Sequence, residues 1–317
     1  MKYKKLLEGY FIKMRLLAKY KNGNYIVRLY EDGTKIRMNN LDNLTPLFAE
    51  SIDITITEKC SGTKESPLCK YCYLGCTEKG KHADLTNSIF DTIHAGTEMA
   101  INANDMTHPG LEDFLIRMKE KGVFVNITIN QKHLKQNIDI LTNWQNRKLI
   151  WGIGISLTDS TDSILWENNL KNTVIHVIDG CFSKEDLENL SNHNIKLLIL
   201  GFKHKGRGID YYNTYKEEVD NNIRYLDEHL MEYKNQFNGF AFDTLATNDL
   251  HVKEKVGPKK WALNNMGEEG EFTMYFSAVD NTYSISSMDS DHIYKIKEGE
   301  TLDDLFRHVR KLAGFDI

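Results

Sequence analysis

Four of the five cysteines in this 317-residue chain lie within seventeen residues, in the stretch CSGTKESPLCKYCYLGC. They are Cys60, Cys69, Cys72 and Cys76, and the fifth, Cys181, is distant in the sequence. A cysteine thiolate is both a nucleophile and a soft metal ligand. Disulfide-stabilised domains are typically short, secreted and richer in cysteine. This cluster therefore indicates metal or redox chemistry.

Spacing alone leaves three interpretations of the cluster open. Free cysteines are often small core residues, although these four lie among Ser, Gly, Thr, Lys and Glu. A structural zinc site usually joins two close pairs of ligands across a longer gap, whereas the gaps here are eight, two and three residues. The third interpretation is an iron–sulfur cluster bound by three thiolates, which leaves a position open for catalysis.

The cluster directly follows a segment that is typical of a β-strand, IDITIT. Beyond it, short apolar runs alternate with amphipathic segments. The predicted strands are 52–57, 95–101, 123–129, 149–157, 172–178, 195–202 and 239–244, and the predicted helices between them are 111–122, 133–145, 184–194 and 214–234. This order predicts an α/β fold with a parallel sheet, either a β/α barrel (whole or partial) or a doubly wound sheet. Either fold places the cysteine loop at the carboxyl ends of the strands, where ligands bind, which favours the iron–sulfur interpretation.

Two hairpins flank this core in the sequence. Residues 24–37 alternate apolar and polar around Asp32-Gly33, and a second such pattern surrounds Asp280-Asn281. A final helix is predicted at 301–314. We therefore expect three parts: an N-terminal β-hairpin appendage at 1–50, a core at 51–245, and a C-terminal hairpin-plus-helix extension at 246–317 that closes one side of the core.

The composition argues against two classes of partner. A formal net charge of −5 and a pI of about 6.1 do not fit a generally basic nucleic-acid-binding surface. No apolar run approaches the roughly 20 residues that a membrane-spanning helix needs. The apolar residues of the basic N-terminal segment are interrupted by Lys13 and Arg15, and no small-residue cleavage site follows, so the segment is not typical of a signal peptide. We expect a cytoplasmic protein.

The segment TEKC-x8-C-K-Y-C resembles the cluster loop of radical S-adenosylmethionine (radical SAM) enzymes, whose motif is Cys-x3-Cys-x-aromatic-Cys. The first gap is eight residues long here instead of three. The resemblance implies that Cys60, Cys69 and Cys72 bind a [4Fe–4S] cluster and that Tyr71 packs beside bound SAM. A ligand set of Cys69, Cys72 and Cys76 is the alternative.

Further matches follow in the family's order and cover roughly residues 50–245. Where the family carries Gly-Gly-Glu to bind the SAM ammonium, this chain has Gly96-Thr97-Glu98. The resemblance also assigns polar residues at later strand ends and in the loop GFKHKGRG to SAM, and it implies a partial (β/α)6-type radical SAM barrel. A set of bacterial and phage-borne radical SAM proteins shares a similar motif order. The positions assigned to cofactor binding are Tyr71, Gly96, Thr97, Glu98, Asn126, Ser156 and Lys203.

The implied reaction begins with an electron from a donor such as flavodoxin or ferredoxin. SAM is then cleaved to methionine and a 5′-deoxyadenosyl radical, which abstracts hydrogen from a substrate. That substrate is either a peptide or protein, or a small metabolite or nucleotide. Asp243, at the end of the last predicted core strand, is a candidate for substrate binding or proton transfer. The alternative function is a non-catalytic binding protein stabilised by zinc or by a cluster.

Overall fold

The computed structural model describes residues 15–39, 43–62, 68–264 and 267–315. The strands are β1 Leu16–Asn22, β2 Tyr25–Tyr30, β3 Lys35–Met38, β4 Ser51–Thr55, β5 Glu98–Asn104, β6 Phe124–Asn130, β7 Gly152–Ser156, β8 Thr173–Ile178, β9 Lys196–Leu200, β10 Gly239–Phe242, β11 Thr273–Ser277, β12 Thr282–Ser284 and β13 Tyr294–Lys295. The helices are α1 Leu111–Glu120, α2 Leu134–Asn146, α3 Ile164–Glu167, α4 Lys184–Leu190, α5 Arg207–Tyr233, α6 Thr244–Asp249, α7 Val252–Val256, α8 Pro258–Asn264 and α9 Leu302–Leu312. Parts of three predicted segments lie outside the described residues: 1–14 and 40–42 of the appendage, 63–67 of the cysteine loop, and 265–266 and 316–317 of the extension.

A three-stranded antiparallel sheet, β1-β2-β3, precedes the core. In the turn between β2 and β3, the Asp32 carboxylate accepts a hydrogen bond from the Thr34 backbone N–H at 3.0 Å, and Gly33 has a φ of 89°. Such a positive φ strongly favours glycine. The hairpin predicted around Asp32-Gly33 is therefore confirmed. Strand β1, which pairs with β2, was not predicted.

The core is a ten-stranded sheet with the order β10-β9-β8-β7-β6-β5-β4-β11-β12-β13. Every pairing from β10 to β11 in that order is parallel, and β12 and β13 add antiparallel strands at one edge. All seven core strands predicted from the sequence are present, with shifted ends. The predicted α/β fold with a largely parallel sheet is confirmed.

The two faces of this sheet differ in polarity because successive side chains on a strand point in opposite directions. On β6, Val125, Ile127 and Ile129 are buried in the main apolar core, to which the connecting helices also contribute. Thr128 and Asn130 of the same strand line a cavity on the other face. Burial of each large aliphatic side chain contributes about 1.5–3 kcal/mol. The apolar face thus holds the fold together and leaves the polar face available for a site.

The C-terminal part of the chain supplies β11, which lies parallel to β4 in the same sheet. The hairpin predicted around Asp280-Asn281 is confirmed, and Asn281 has a φ of 55°. Helix α9 begins with a capping box formed by Thr301 and Asp304, as a helix starting at this point requires. Among the described helices, none has both the length and the apolar character that crossing a membrane requires.

Candidate active site

The polar face of the parallel sheet lines a cavity of about 1250 Å³. Its wall is formed by strands β4 to β11, by the cysteine loop that follows β4, and by the loop between β9 and α5. Helices α6 to α8 complete the wall. All five cysteines of the chain contribute to this lining. The cysteine loop therefore lies at the carboxyl end of a parallel strand, where it was predicted.

The four clustered cysteines are free thiols held by a network of backbone and amide hydrogen bonds. The Cys60 backbone N–H donates to the Thr77 carbonyl at 3.0 Å. The side-chain amide of Asn130 donates to the sulfur of Cys69 at 3.3 Å, and that of Asn104 donates to the sulfur of Cys76 at 3.6 Å. Amide donors of this kind favour a sulfur that carries negative charge, as a metal-bound thiolate does.

The protonation of these thiols differs from one position to the next. The Cys76 thiol donates a hydrogen bond to the sulfur of Cys72, which lowers the pKa of Cys72 and raises that of Cys76. The positive charge of Arg207 lowers the pKa of Cys72 further. Burial raises the pKa of Cys60 to about 11. Among Cys60, Cys72 and Cys76, Cys72 is thus the thiol that most readily becomes a thiolate.

The donor set fits an iron–sulfur cluster in its chemistry, since it consists of thiols with amide N–H groups directed at two of them. Within the described residues, no three side chains of Cys, His, Asp or Glu stand where they could hold a metal ion. A cluster distributes its protein ligands over several iron atoms, so its cysteines lie farther apart than the ligands of one ion. The four cysteines share a cavity wall without forming a compact single-ion site.

Arg207, at the start of α5, donates hydrogen bonds to three backbone carbonyl groups of the cysteine loop. Its Nε donates to the Cys69 carbonyl at 3.0 Å and its Nη1 donates to the Cys76 carbonyl at 2.9 Å. Its backbone N–H donates to the Cys72 carbonyl at 3.1 Å. The preceding Gly206 has a φ of 55°, and a β-carbon there would lie 2.4 Å from the Tyr73 carbonyl oxygen. Gly206 thus permits the close approach of the two loops, and Arg207 joins the loop before α5 to the cysteine loop.

Tyr71, between the second and third cysteines, is a half-buried part of the cavity lining. Its ring meets that of Tyr211 edge-on, with 5.6 Å between the ring centres. Burial raises the pKa of its hydroxyl, so Tyr71 is neutral at physiological pH. The structure places Tyr71 with Cys60, Cys69 and Cys72 around one cavity, as predicted from the motif.

Gly96, Thr97 and Glu98 lie at the other end of the sheet from the cysteines. Strand β5 begins at Glu98, which pairs with Ser51 at the start of β4, whereas Cys60 follows the end of β4. A seven-residue strand such as β5 is about 20 Å long. The structure therefore does not bring these three residues into the site, contrary to the prediction. The apolar run was predicted to start at residue 95, and the strand starts three residues later.

Glu98 instead belongs to a buried group of charges between the small sheet and the core. Its carboxylate lies 2.7 Å from the Lys35 ammonium, whose side chain is 2% exposed. Lys35 also lies 3.6 Å from Glu50, and Arg37 pairs with Glu50 at 2.9 Å. The hydroxyl of Tyr25 donates to Glu50 at 2.5 Å. These contacts attach the N-terminal sheet to the amino end of the core.

Asn126 is a second predicted site residue that the structure places elsewhere. Its side-chain oxygen accepts a hydrogen bond from the Gly152 backbone N–H at 2.8 Å, so it joins β6 to β7. Ser156, at the end of β7, does line the cavity, as predicted. Asp243 also lines it, but its carboxylate accepts hydrogen bonds from the backbone N–H groups of Gly201 and Ala246 and caps α6. That role accounts for its position at a strand end.

Lys203 lines the cavity and is half-buried. Its ammonium donates to the Ser287 hydroxyl at 2.9 Å and lies 4.1 Å from the centre of the Tyr73 ring. Burial lowers the pKa of Lys203, and the carboxylates of Asp243 and Asp53 oppose that shift.

Four cavity residues were not predicted from the sequence. Asn102 and Asn104 end β5 and hold the chain that leads to Cys60: the Ile56 backbone N–H donates to Asn102 at 2.8 Å, and Asn104 donates to the Lys59 carbonyl at 2.9 Å. Asp53 and His176 project into the cavity from β4 and β8. A signal for these four existed, because each is a polar residue within an otherwise apolar strand.

A comparison with models of known protein families finds no match, and no curated protein sequence matches the chain either. The fold and the site together define an α/β protein in which a loop of four cysteines borders a large cavity of mixed polarity. Its function must be argued from that geometry and from the motif.

Proposed function

We propose that this protein is a radical SAM enzyme in which Cys60, Cys69 and Cys72 hold a [4Fe–4S] cluster. The observation that carries the proposal is that the cysteine loop follows a parallel strand and that its thiols line one large cavity. When bound, such a cluster supplies the electron that cleaves SAM to methionine and a 5′-deoxyadenosyl radical. A donor such as flavodoxin or ferredoxin would reduce it.

The sheet supports the finer proposal of a partial radical SAM barrel. Strands β4 to β10 are neighbours in the order of the sequence and all run parallel. Helices cover the apolar face, and the other face surrounds the cavity. A doubly wound sheet would instead reverse its strand order at a switch point, which this core does not do between β4 and β10.

The choice of ligands follows from what each thiol already contacts. Cys76 is 4% exposed, and its thiol is engaged by Asn104 and by Cys72. Cys69 and Cys72 are more accessible from the cavity, and Cys60 lies on the same wall. We therefore assign Cys76 to support the loop and the other three to hold the cluster.

The cofactor's polar groups need other partners, since Glu98 lies at the far end of the sheet. Ser156 and Thr128 present hydroxyl groups to the cavity at the carboxyl ends of β7 and β6. We assign these hydroxyls to SAM, with Tyr71 packing beside it. Asn102 and Asn104 hold the loop in place and so position its thiols.

The remaining wall of the cavity limits access of water to the radical. Leu198, Leu200, Phe240 and Phe242 line it from β9 and β10. A cavity with such a wall keeps stray hydrogen donors away from a reactive carbon centre. The substrate would enter beside this wall and present a C–H bond to the 5′ carbon of the cofactor.

The proposal is tested by anaerobic reconstitution of the full chain with iron and sulfide. We expect about four irons per chain, held largely by thiolates, and formation of 5′-deoxyadenosine when dithionite and SAM are added. Uptake of one zinc with no iron would favour a non-catalytic zinc-stabilised binding protein and contradict the proposal.

A further inference from the structure

Asp179, directly after β8, is a fully buried aspartate with one oxygen that lacks a donor. Its fractional exposure is 0%. Its Oδ1 accepts hydrogen bonds from the backbone N–H groups of Gly180 at 2.6 Å and Phe202 at 2.9 Å. Among the described residues, no N–H or hydroxyl group donates to its Oδ2. A buried polar atom without a partner is costly, so this oxygen requires an explanation.

A second carboxyl group lies within hydrogen-bonding reach of Asp179, that of the half-buried Asp249 at the end of α6. Two carboxylates accept hydrogen bonds and donate none, so a bond between them requires a proton on one of them. Two carboxyl groups in one buried place hold such a proton because ionising both is costly. Burial and the charge of Asp249 raise the pKa of Asp179 to about 7, although two backbone N–H groups favour its carboxylate. Burial raises the pKa of Asp249 as well.

The other charges around the pair leave this proton in place. The charges that act most strongly on Asp179 are those of Asp249 and Asp243, both negative. The remaining titratable groups near the pair are two exposed histidines and two groups towards α5: His204, His251, Cys181 and Glu218. The histidines act on Asp249, and a positive charge there favours the Asp249 carboxylate. The shared proton is then held by Asp179.

The pair joins three segments at the carboxyl edge of the sheet. Asp179 follows β8, and its bond from the Phe202 N–H reaches the loop between β9 and α5. Asp249 ends α6, whose start is fixed to the same loop by the bond from the Gly201 N–H to Asp243. Side chains of α6 line the cavity: Leu245, Thr247 and Asn248. The contact between the two carboxyl groups therefore fixes the far end of a helix in the cavity wall.

We propose that Asp179 and Asp249 share one proton that holds α6 against the carboxyl edge of the sheet, and that loss of this proton above neutral pH loosens the cavity wall. The proton passes to water, and two negative charges then face each other where little solvent screens them. Helix α6 moves away from Asp179, and α7, which follows it directly, moves with it. The pair is thus a pH-sensitive closure of the cavity that requires no bound cofactor.

The proton is detected by infrared spectroscopy of the full-length, metal-free chain, because a protonated carboxyl group has a carbonyl band that a carboxylate lacks. In Asp179→Asn, the side-chain amide can donate to the Asp249 carboxylate and keep the link without a proton. We expect the difference spectrum between wild type and Asp179→Asn to contain the protonated band at about pH 6, where an ordinary aspartate is ionised. The band should disappear by about pH 9.

Loosening of the wall is measured by trypsin cleavage after Lys253, an exposed residue of α7. The rate is divided by that of a short lysyl peptide at the same pH. A carboxyl group with a pKa of about 7 in the closed wall and an ordinary value when released favours release by about 10-fold more at pH 9 than at pH 6. We expect this increase in the wild type and in the matched control Asp139→Asn, an exposed position on α2, and none in Asp179→Asn.

Asp249→Asn removes the same shared proton from the other side and serves as the second variant should Asp179→Asn fail to fold. A wild type without the protonated band at about pH 6, a band of the same size in both variants, or cleavage that rises equally in the wild type and Asp179→Asn would overturn the inference. Because the metal-free protein is used, these outcomes are independent of iron uptake and of the proposed reaction.

Discussion

Replacement of Arg207 by methionine should loosen the cysteine loop without unfolding the protein. The substitution keeps much of the length of the side chain and removes the two hydrogen bonds to the carbonyls of Cys69 and Cys76. The backbone N–H of residue 207 can still donate to the Cys72 carbonyl. The change therefore isolates the side-chain contribution to holding the loop.

The size of the effect follows from the two lost hydrogen bonds. A hydrogen bond from a charged donor contributes about 1.5–3 kcal/mol. The lower value is appropriate for each, because the Arg207 side chain is only partly buried and water can replace it at the carbonyls. Two such bonds give about 3 kcal/mol, which corresponds to a roughly 100-fold larger population of the opened loop.

Cys76 reports on this opening because it is 4% exposed in the closed loop. When the loop recloses faster than the reagent reacts, the rate of alkylation by iodoacetamide follows the opening equilibrium. We expect Cys76 in Arg207→Met to be labelled about 100-fold faster than in the wild type, as measured by mass spectrometry of the metal-free protein.

The control is Arg224→Met, an exposed position on the same helix. It removes the same charge from α5 without touching the cysteine loop, so Cys76 labelling should remain at the wild-type rate. Equal rates in Arg207→Met and the wild type, with both folded by circular dichroism, would refute the assignment of Arg207 as the residue that holds the loop.

Three further predictions concern the buried charge of Glu98, the imidazole of His176 and the choice of cysteine ligands. Glu98→Gln leaves the buried Lys35 ammonium with only the more distant Glu50, so urea denaturation should show a loss of about 2 kcal/mol in the free energy of unfolding, while SAM cleavage is unchanged. The pKa of His176 is lowered to about 4 by burial, so the fold loses stability as the pH falls below the ordinary histidine value; at about pH 5 this loss should be about 2 kcal/mol larger in the wild type than in His176→Gln. Cys72→Ala should abolish iron uptake, whereas Cys76→Ala should retain it, and loss in both variants would reassign the ligands.

The sequence predicts the core strands and both hairpins because these depend on local patterns. Alternating polarity, an Asp-Gly or Asp-Asn turn and capping residues act over a few positions, and the structure confirms them at β2-β3, β11-β12 and α9. The site could be located for the same reason, since the cysteine loop directly follows β4 and lies at the carboxyl end of a parallel strand.

The role of Glu98 could not be predicted, because the start of a strand depends on its partner. The run AGTEMAI could begin a strand at its first residue or at a later one. The pairing of Glu98 with Ser51 of β4 sets the register. Gly96, with a φ of 92°, ends the preceding loop. A shift of three residues thus moves the Glu98 carboxylate from the middle of the predicted strand 95–101 to the amino end of β5, away from the cysteine loop.

The contacts of Arg207 and Asp53 also escape prediction, for a different reason. Arg207 meets the cysteine loop across more than a hundred residues of sequence, a contact set only by the order of strands in the sheet. Asp53 is an evident polar residue in an apolar strand, but that its side chain lines a cavity depends on which loops enclose that face of the sheet.

The most direct measurement of the central claim is the electron paramagnetic resonance spectrum of the reduced, reconstituted protein with and without SAM. Three cysteines leave one iron able to bind SAM, so we expect its addition to change the spectrum in the wild type and in Cys76→Ala. An iron–sulfur spectrum that SAM leaves unaltered, or a protein that takes up no iron, would contradict the assignment of Cys60, Cys69 and Cys72 as ligands of a SAM-binding cluster.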